Sequence, residues 1–574
     1  MDAAQINKAR GYIKCLPTQG AATKKTCSDH PEFTASSMTL FINGKILSRT
    51  VASLADEPTF AESMYIKDGI IQAVGTKDEV QAKVTGDDVV TQDLEGKTVL
   101  PGFVDGHMHL LLLGQSLRKI ALEGCKNLED ILHELRTYAK ANPDVPRIMA
   151  KGWMHSMTPD GVTAKILDEI DERPIYVDTK DMHSTWCNSA GLEEMKVADL
   201  EDPPGGIIER DENGKPSGVL SEASILSIVW PTLAQLASNE ERIECMLAAF
   251  KAYHASGYTG IIEMAMDEYS WESLVELKRR HPDVAMRVTA YWIVKPADTV
   301  EERTRQVDRA IELAKQYSLE ISPDLRIAGI KIICDGIIDA CTAYLSEPYA
   351  SVASPPPFWS SDDLEPVVKQ AADAGIQIAL HAIGDAAIHM AVDMLEKYGK
   401  PGSRHRIEHL EVSSPEDAQR LGKLGHTASI QPVHADPAIL RAWPRLIGAR
   451  RDRAFAYREF ADSGALLALG SDSPTAPWNP LHNVYVAATR RSAREPECEE
   501  VVNEHFKLGV CEAVVAGSQG AARSVFQDGR VGTLEVGKFA DLVVADMEWD
   551  SRTLLKAEIR ETWFAGKRVW SLGG

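Results

Sequence analysis

Four histidines and one aspartate follow apolar segments that have the pattern of buried strands, and their residue types are those of a metal centre. His107 and His109 end one such segment. Because side chains two residues apart lie on the same face of a strand, these two imidazoles could bind one ion. The rest of the set follows three other segments and consists of His381, His409 and Asp472. Together these residues predict a centre for a divalent metal.

Each of these residues also has a simpler interpretation when it is taken alone. His381 or His409 could be a hydrogen-bonded histidine of the core, and Asp472, in Ser-Asp-Ser-Pro, could cap a helix. Lys331 stands in the apolar run Gly-Ile-Lys-Ile-Ile, where a solvated lysine is not expected, although a surface or salt-bridged lysine is the alternative. The joint position of the set at the same end of several predicted strands favours a shared site.

Eight apolar segments alternate with helical stretches and must position these residues. This repetition predicts an α/β fold, a (β/α)8 TIM barrel, in which active sites lie at the C-terminal ends of the strands. The periodicity of 361–374 and 414–425 is typical of the intervening helices. The predicted strands are Thr98–His109, Tyr258–Ala265, Ala285–Val294, Arg326–Gly336, Gln377–Asp385, His405–Val412, Thr427–His434 and Leu466–Pro474.

The remaining segments predict three further parts around the barrel. Residues 1–37 lack periodicity and are expected to be a flexible leader. Strand-rich ends, residues 38–100 and 526–574, predict one small β-sandwich built from both chain ends, with two separate β appendages as the alternative. The barrel itself should occupy 101–525, with residues 115–235 as a subdomain inserted after barrel strand 1, because an unstructured loop of that length is not expected.

Composition and charge exclude several classes of protein. The chain has 574 residues, of which 44% are hydrophobic and 25% charged, as in ordinary globular proteins. A net charge of −22 argues against a nucleic-acid partner and against an anionic membrane surface. The sequence contains neither an apolar run of about 20 residues nor a signal peptide. Its nine cysteines have no paired spacing, so we expect a cytoplasmic protein. Because the acidic surface does not attract anionic polymers, we expect a small-molecule substrate. A homodimer is compatible with the sequence, although no motif supports it.

Several motifs resemble those of one enzyme superfamily over residues 38–574. They are Pro101-Gly-Phe-Val-Asp-Gly-His-Met-His, Gly329-Ile-Lys-Ile-Ile-Cys-Asp-Gly, Leu380-His-Ala-Ile-Gly-Asp, Arg406-Ile-Glu-His, Ser429-Ile-Gln-Pro-Val-His, Leu469-Gly-Ser-Asp-Ser-Pro and Gly532-Thr-Leu-Glu-Val-Gly-Lys-Phe-Ala-Asp-Leu. The sequence thereby resembles the amidohydrolase superfamily, in its amidohydrolase-3 branch of YtcJ-like and N-substituted formamide deformylase-like metal-dependent hydrolases. The match is specific for the superfamily and says little about the substrate.

This resemblance implies which residues hold the metal. His107, His109 and Asp472 would bind a first divalent ion, and His381 and His409 would bind a second. Lys331 would bridge the two ions as a carbamate formed with CO2, since an ammonium is disfavoured beside a dication. An uncarboxylated Lys331 would leave a site for one ion. Zinc suits these ligands, and Mn, Fe, Co or Ni could replace it.

The implied reaction is hydrolysis of a C–N bond in an amide, formamide or cyclic amide by a metal-activated hydroxide. Asp472 would be the catalytic residue that transfers a proton to the departing amine. Glu408 or Asp385 could orient the histidines. Substrate contacts are predicted for three further residues: His183, Gln431 and His434. The alternatives are a metal-dependent decarboxylase or lyase on the same barrel, and a catalytically silent relative that acts as a scaffold.

Overall fold

The computed structural model of the protein describes residues 38–48, 58–86, 88–122, 124–180, 184–203, 206–222 and 224–573. The predicted leader, residues 1–37, lies outside the described residues, and so does His183.

Eight parallel strands form the barrel sheet and follow one another in chain order. We number them first to eighth: Phe103–Met108, Tyr258–Met266, Arg287–Val294, Leu325–Ile333, Gln377–Ala382, Arg406–His409, Thr427–Ile430 and Leu466–Leu469. Each of the eight predicted segments overlaps one of these strands over most of its length, so the prediction of a (β/α)8 barrel is confirmed.

The first predicted strand is wrong as a single element. Its first half, Thr98–Pro101, belongs to another sheet, and the barrel strand starts at Phe103. The chain changes sheet at Gly102. Glycine is needed here because a Cβ at this position would lie 2.4 Å from Thr259 Oγ1. The sequence hid this change, since both sheets bury their part of the segment and the apolar run is therefore unbroken.

Helices follow most of the barrel strands and begin and end at residues suited to capping. Ser360 accepts a hydrogen bond from the Asp363 amide at the start of Ser361–Asp373, and Gly425 ends Pro415–Leu424 in the left-handed conformation. The helices of the described residues are Lys77–Gln81, Leu110–Arg118, Leu128–Ala141, Ala164–Asp168, Ser189–Glu194, Trp230–Leu236, Asn239–Ala255, Glu268–Arg280, Val300–Gln316, Ser361–Asp373, Asp385–Tyr398, Pro415–Leu424, Trp443–Leu446, Tyr457–Asp462, Pro480–Thr489, Val510–Val515 and Ala521–Ser524. No helix in this part of the chain combines the length and the apolar character that crossing a membrane requires.

Two sheets built from both ends of the chain form the β-sandwich. One sheet has the order Ile70–Gly75, Ser63–Lys67, Met38–Ile42 and Val89–Asp93. The other has the order Lys567–Ser571, Glu558–Phe564, Leu542–Asp546, Thr98–Pro101, Lys45–Leu47 and Phe60–Ala61. Strands from the two ends pair directly, with Val99 opposite Val544. Their side chains share one core, in which the ring of Phe41 meets that of Trp563 edge to face at 5.2 Å. The alternative of two separate appendages is therefore wrong.

An inserted subdomain stands between the first and second barrel strands. Its sheet has the order Gly206–Arg210, Pro216–Glu222, Ser184–Cys187, Ile175–Thr179, Ile148–Trp153 and Ile120–Ala121. Two apolar clusters of its own support this sheet, one around the indoles of Trp153 and Trp186, which meet at an interplanar angle of 49°, and one around Tyr176.

Candidate metal centre

The first and eighth barrel strands bring three predicted ligands together. One ligand atom from each of His107, His109 and Asp472 lies within 4.8 Å of the other two. Asp472 Oδ1 is 3.4 Å from His107 Nε2 and 3.1 Å from His109 Nε2. Two imidazoles and a carboxylate in this arrangement are a ligand set for a divalent transition metal.

The fourth, fifth and sixth strands place the other predicted ligands beside this group. The imidazole rings of His381 and His409 have centroids 4.3 Å apart, and His409 is 4.9 Å from His107. Lys331 is 2% exposed. Burial, and next the charge of Lys331, lower the pKa of His107 to about 4 and that of His381 to about 3. The lysine therefore lies among the histidines, and both imidazoles are in the neutral form that metals bind.

The polar atoms of this cluster fit a cation. His381 Nε2 and His409 Nδ1 are buried, and neither has a hydrogen-bond partner among the described residues. An unsatisfied buried polar atom costs about 1–3 kcal/mol, and a bound cation would remove that cost. Burial favours the neutral acid of Asp472, but the facing histidines His107 and His109 hold its pKa well below the usual range. The neutral imidazoles of His107 and His381 and the charged carboxylate of Asp472 are donors of the kind that a divalent metal requires. Burial alone would lower the pKa of His109, but Asp472 and Glu263 raise it to about 9, so a metal at this imidazole would displace a proton.

A buried chain of side chains orients His107. Its Nδ1 donates to Glu408 Oε2 at 2.8 Å, which leaves Nε2 free to bind a metal. Arg406 in turn donates to Glu408 Oε1 at 2.8 Å. The same guanidinium donates to Gly106 O at 2.6 Å and to Ser429 Oγ at 2.8 Å. Arg406 therefore ties the first, sixth and seventh strands together behind the predicted ligand His107, and Glu408 makes the hydrogen bond to this histidine that an orienting role requires.

A second polar cluster joins the first and eighth strands at the site. The amide of Asp472 donates to His107 O at 2.7 Å. Below this contact, Asp105 Oδ1 accepts from the amide of Ser471 at 2.9 Å. The hydroxyl of Tyr253, from the helix Asn239–Ala255, lies 2.9 Å from Asp105 Oδ2 and 2.6 Å from Ser473 Oγ. These contacts fix the distance between the histidine pair and Asp472, so we call Asp105, Tyr253, Ser471 and Ser473 the seam cluster.

His434 lies beside the ligands and is held by an acid that the sequence analysis missed. Its Nδ1 is 3.3 Å from Glu411 Oε1, and its Nε2 is 3.7 Å from Asp472 Oδ2. The ring stacks on His409 at 5.9 Å with an interplanar angle of 10°. His409, Glu411 and His434 form a second group whose ligand atoms lie within 4.8 Å of one another. The spacing of Glu411, two residues after His409, was the signal that could have identified it.

Gln431 stands near this group, at the end of the seventh strand. Its side chain is buried, and its Nε2 donates to Ser429 Oγ at 3.4 Å. The third predicted substrate contact, His183, lies outside the described residues, one position before the insert strand that starts at Ser184.

Two further carboxylates fasten loops around the histidines. Glu263 Oε1, on the second strand, accepts from the Ala265 amide at 2.9 Å and lies 3.8 Å from His109 Nδ1. Asp335 accepts from three loop amides and lies 3.8 Å from His381 Nε2. Sequence reasoning missed both acids, because each appeared as one polar residue at the end of an apolar segment.

The suggestion that Asp385 orients a histidine is wrong. Its carboxylate accepts from the amide and the hydroxyl of Ser346 at the start of a helix. It therefore fastens the loop after the fourth strand.

The backbone is strained at two of the predicted ligands. His409 has a φ of 76° and Asp472 a φ of 54°, in the left-handed region that residues other than glycine seldom occupy. Such strain persists where the surrounding contacts over-determine a conformation, and it is concentrated at functional sites. Here the seam cluster and the pairing of the sixth strand supply those contacts.

Comparison with known proteins agrees with this geometry. A sequence profile of the amidohydrolase family matches residues 90–570. The protein LONG AFTER FAR-RED 3 of Arabidopsis thaliana is 30% identical over 89% of this chain and 88% of its own. The YtcJ protein of Bacillus subtilis is 27% identical over 91% of this chain and 98% of its own. N-substituted formamide deformylase of Arthrobacter pascens is 24% identical over 88% of this chain and 93% of its own.

Solved structures show the same fold. An uncharacterized metal-dependent hydrolase of Pyrococcus horikoshii superposes with a TM-score of 0.73 at 24% identity, over 90% of this chain and 98% of its own. The match to the family profile covers most of the chain, including every predicted metal ligand. The chain therefore belongs to the amidohydrolase family of metal-dependent hydrolases.

Proposed function

We propose that the protein hydrolyses a C–N bond of a small-molecule amide, formamide or cyclic amide. The observation that carries this proposal is the convergence of His107, His109 and Asp472 at the C-terminal end of the barrel. N-substituted formamide deformylase, a relative over most of the chain, is named for a reaction of this type.

The residues that would hold the metal form two adjacent sets. His107, His109 and Asp472 would bind one ion, preferably zinc. His381, His409 and a carbamate on Lys331 would bind a second, because a buried lysine amine with a lowered pKa is the form that reacts with CO2. When bound, a divalent cation lowers the pKa of water from 15.7 towards about 7 and polarises a carbonyl group.

Asp472 is the proposed acid–base residue. Its carboxylate faces His109 Nε2 at 3.1 Å on one side and His434 Nε2 at 3.7 Å on the other. In the charged form it can accept a proton from the attacking water and return it to the departing nitrogen. This role needs a carboxylate held in one place, and the seam cluster supplies that constraint.

His434 is the proposed substrate contact. Glu411 at its Nδ1 orients the ring so that Nε2 faces the ligand group. From there it can donate a hydrogen bond to the carbonyl oxygen of an amide as negative charge develops on it. Gln431 and His183 remain predicted substrate contacts.

Metal content and product analysis together test the proposal. The protein is purified without chelator and with bicarbonate, and its metal is measured by plasma mass spectrometry. We expect about two ions per chain and release of an amine from formamides or amides. His107→Asn should lose both metal and turnover, whereas the control His389→Asn, at a half-exposed histidine on a helix, should lose neither. A chain that refuses added zinc, or that releases CO2 in place of an amine, would overturn the proposal.

A further inference from the structure

Ile333 ends the fourth barrel strand and is unlike the rest of that strand. The eight residues before it, Leu325–Ile332, are buried, while Ile333 is 37% exposed. A large apolar side chain that stays in contact with water at the end of a buried strand forgoes the free energy that burial of its surface would supply. Its position at a barrel mouth therefore calls for an explanation.

The strand register places Ile333 beside a predicted metal ligand. Ile333 pairs with His381 on the fifth strand, and paired residues of parallel strands direct their side chains to the same side of the sheet. Ile333 also stands two residues after Lys331, so both side chains face the interior of the barrel. The exposed isoleucine is thus at the mouth, next to the imidazole of His381.

A second exposed apolar side chain is attached to the same strand end. Phe358 is 44% exposed, and its amide donates to Cys334 O at 2.8 Å. The Cys334 amide in turn donates to His381 O at 3.0 Å. Trp359, the next residue, is buried in the barrel core, so the backbone at Phe358 is held on both sides.

We propose that Ile333 and Phe358 form an apolar wall that receives the hydrocarbon group of the substrate beside the metal centre. Ligand sites combine apolar walls with a few polar groups that fix orientation, and here the polar groups are those of the metal centre. The wall then selects among the proposed substrates by the size of their hydrocarbon group. This inference takes the reaction from the proposed function, whereas the binding of a hydrocarbon group by the wall does not depend on that reaction.

A series of N-alkyl formamides from methyl to butyl tests the wall. For the wild type we expect kcat/KM to rise about fourfold for each added methylene, the ratio that corresponds to burying one CH2 group. Ile333→Thr keeps the branched Cβ that suits a strand and should reduce this step to about twofold or less. Phe358→Ser, in a loop, provides a second variant if the strand substitution impairs folding. Ile321→Thr is the matched control, since Ile321 is 51% exposed and precedes the N-terminal end of the same strand. In this variant kcat/KM should still rise about fourfold for each added methylene.

Equilibrium binding of the same series, measured by calorimetry on metal-loaded protein, separates the two proposals. If no compound is hydrolysed but binding still tightens with chain length and loses this trend in Ile333→Thr, the proposed reaction fails and the wall stands. If hydrolysis occurs and neither variant changes the rise of kcat/KM for each added methylene, the wall is wrong and the reaction stands. A change of molecular mass in Ile333→Thr by light scattering, with the step unchanged, would assign the two side chains to contact with a second copy and would also overturn the wall.

Discussion

Buried histidines stand at both ends of the same barrel strands, and only one end has the properties of a metal centre. His409 ends the sixth strand, while His405 immediately precedes it and faces His426 with ring centroids 5.2 Å apart. Burial lowers the pKa of His405 to about 3 and that of His426 to about 4, as it does for His381 at the other end. Burial and a neutral ring are therefore common to both ends.

Carboxylates make the difference between the two ends. At the C-terminal end, Glu408 accepts from His107, Glu411 faces His434 and Asp472 faces His109. At the N-terminal end, no ion pair of His405 or His426 occurs among the described residues, and His405 Nδ1 accepts from the amide of Ile378. Burial of histidines alone therefore does not indicate a metal site, whereas acids that converge on the buried histidines do.

Substitution of one histidine from each end is the strongest test of this distinction. His107→Asn should reduce kcat/KM by about 10³-fold or more, because it removes a ligand of the ion that activates water. His405→Asn should leave the metal content per chain unchanged, since this residue has no acid beside it. Metal analysis and steady-state kinetics measure both effects. Loss of metal from His405→Asn would contradict the distinction.

Acid should destabilise the protein through the N-terminal pair. Each histidine has an ordinary pKa of 6.5 in the unfolded chain and a lower one when folded, so the unfolded state binds more protons between these values. The stabilising contribution is complete above pH 6.5 and is lost as the pH falls towards 4, by about 2 kcal/mol for each residue at pH 5.

The variant His426→Gln isolates this contribution. Glutamine does not titrate, so the free energy of unfolding measured in urea should fall less between pH 7 and pH 5 than it does in the wild type. Equal losses in the two proteins would show that His426 is already protonated at pH 7 or is exposed.

Glu408→Gln should weaken metal binding by about 10- to 100-fold, because it removes the charge that orients His107. Asp417→Asn is the matched control: Asp417 accepts from His389 Nδ1 at 3.0 Å, between the helices Pro415–Leu424 and Asp385–Tyr398. Competition with a chromophoric chelator measures the dissociation constant in each variant. If both substitutions weakened binding equally, a carboxylate beside a histidine would have no specific role here.

Tyr253→Phe should have the smallest effect. It removes one hydroxyl from the seam cluster, at a cost of about 1 kcal/mol, and should raise the metal dissociation constant about threefold to tenfold because Asp472 is held less firmly. Tyr176→Phe, which removes a hydroxyl bonded to Glu194 in the insert at 2.8 Å, should lower stability by a similar amount without changing metal binding. A metal affinity unaffected by Tyr253→Phe would show that the seam cluster serves stability alone.

The barrel and the convergence of the predicted ligands were predictable because both leave local patterns. Apolar segments, their spacing and the residues that follow them are properties of short stretches, so His107, His109 and Asp472 could be identified by position. Tyr253 and Glu411 could not, because their roles depend on contacts across the fold. Tyr253 reaches Asp105 from a helix 148 positions away. The change of sheet at Gly102 was hidden for the same reason, since burial on both sides of it looks alike in sequence.

The joining of the first and eighth strands also determines when the protein can acquire its metal during synthesis. Asp105 and Ser471, which hold the two halves of the site together, are 366 positions apart. A chain still emerging from the ribosome carries its histidine pair long before the matching aspartate exists, and the pairing of Val99 with Val544 is completed later still. Contacts over such separations form slowly and leave apolar edges uncovered in the meantime. On the proposed ligand set, we therefore expect the ion of His107, His109 and Asp472 to be acquired late, after synthesis, and a chain truncated before residue 472 to lack that site however well its first half has folded.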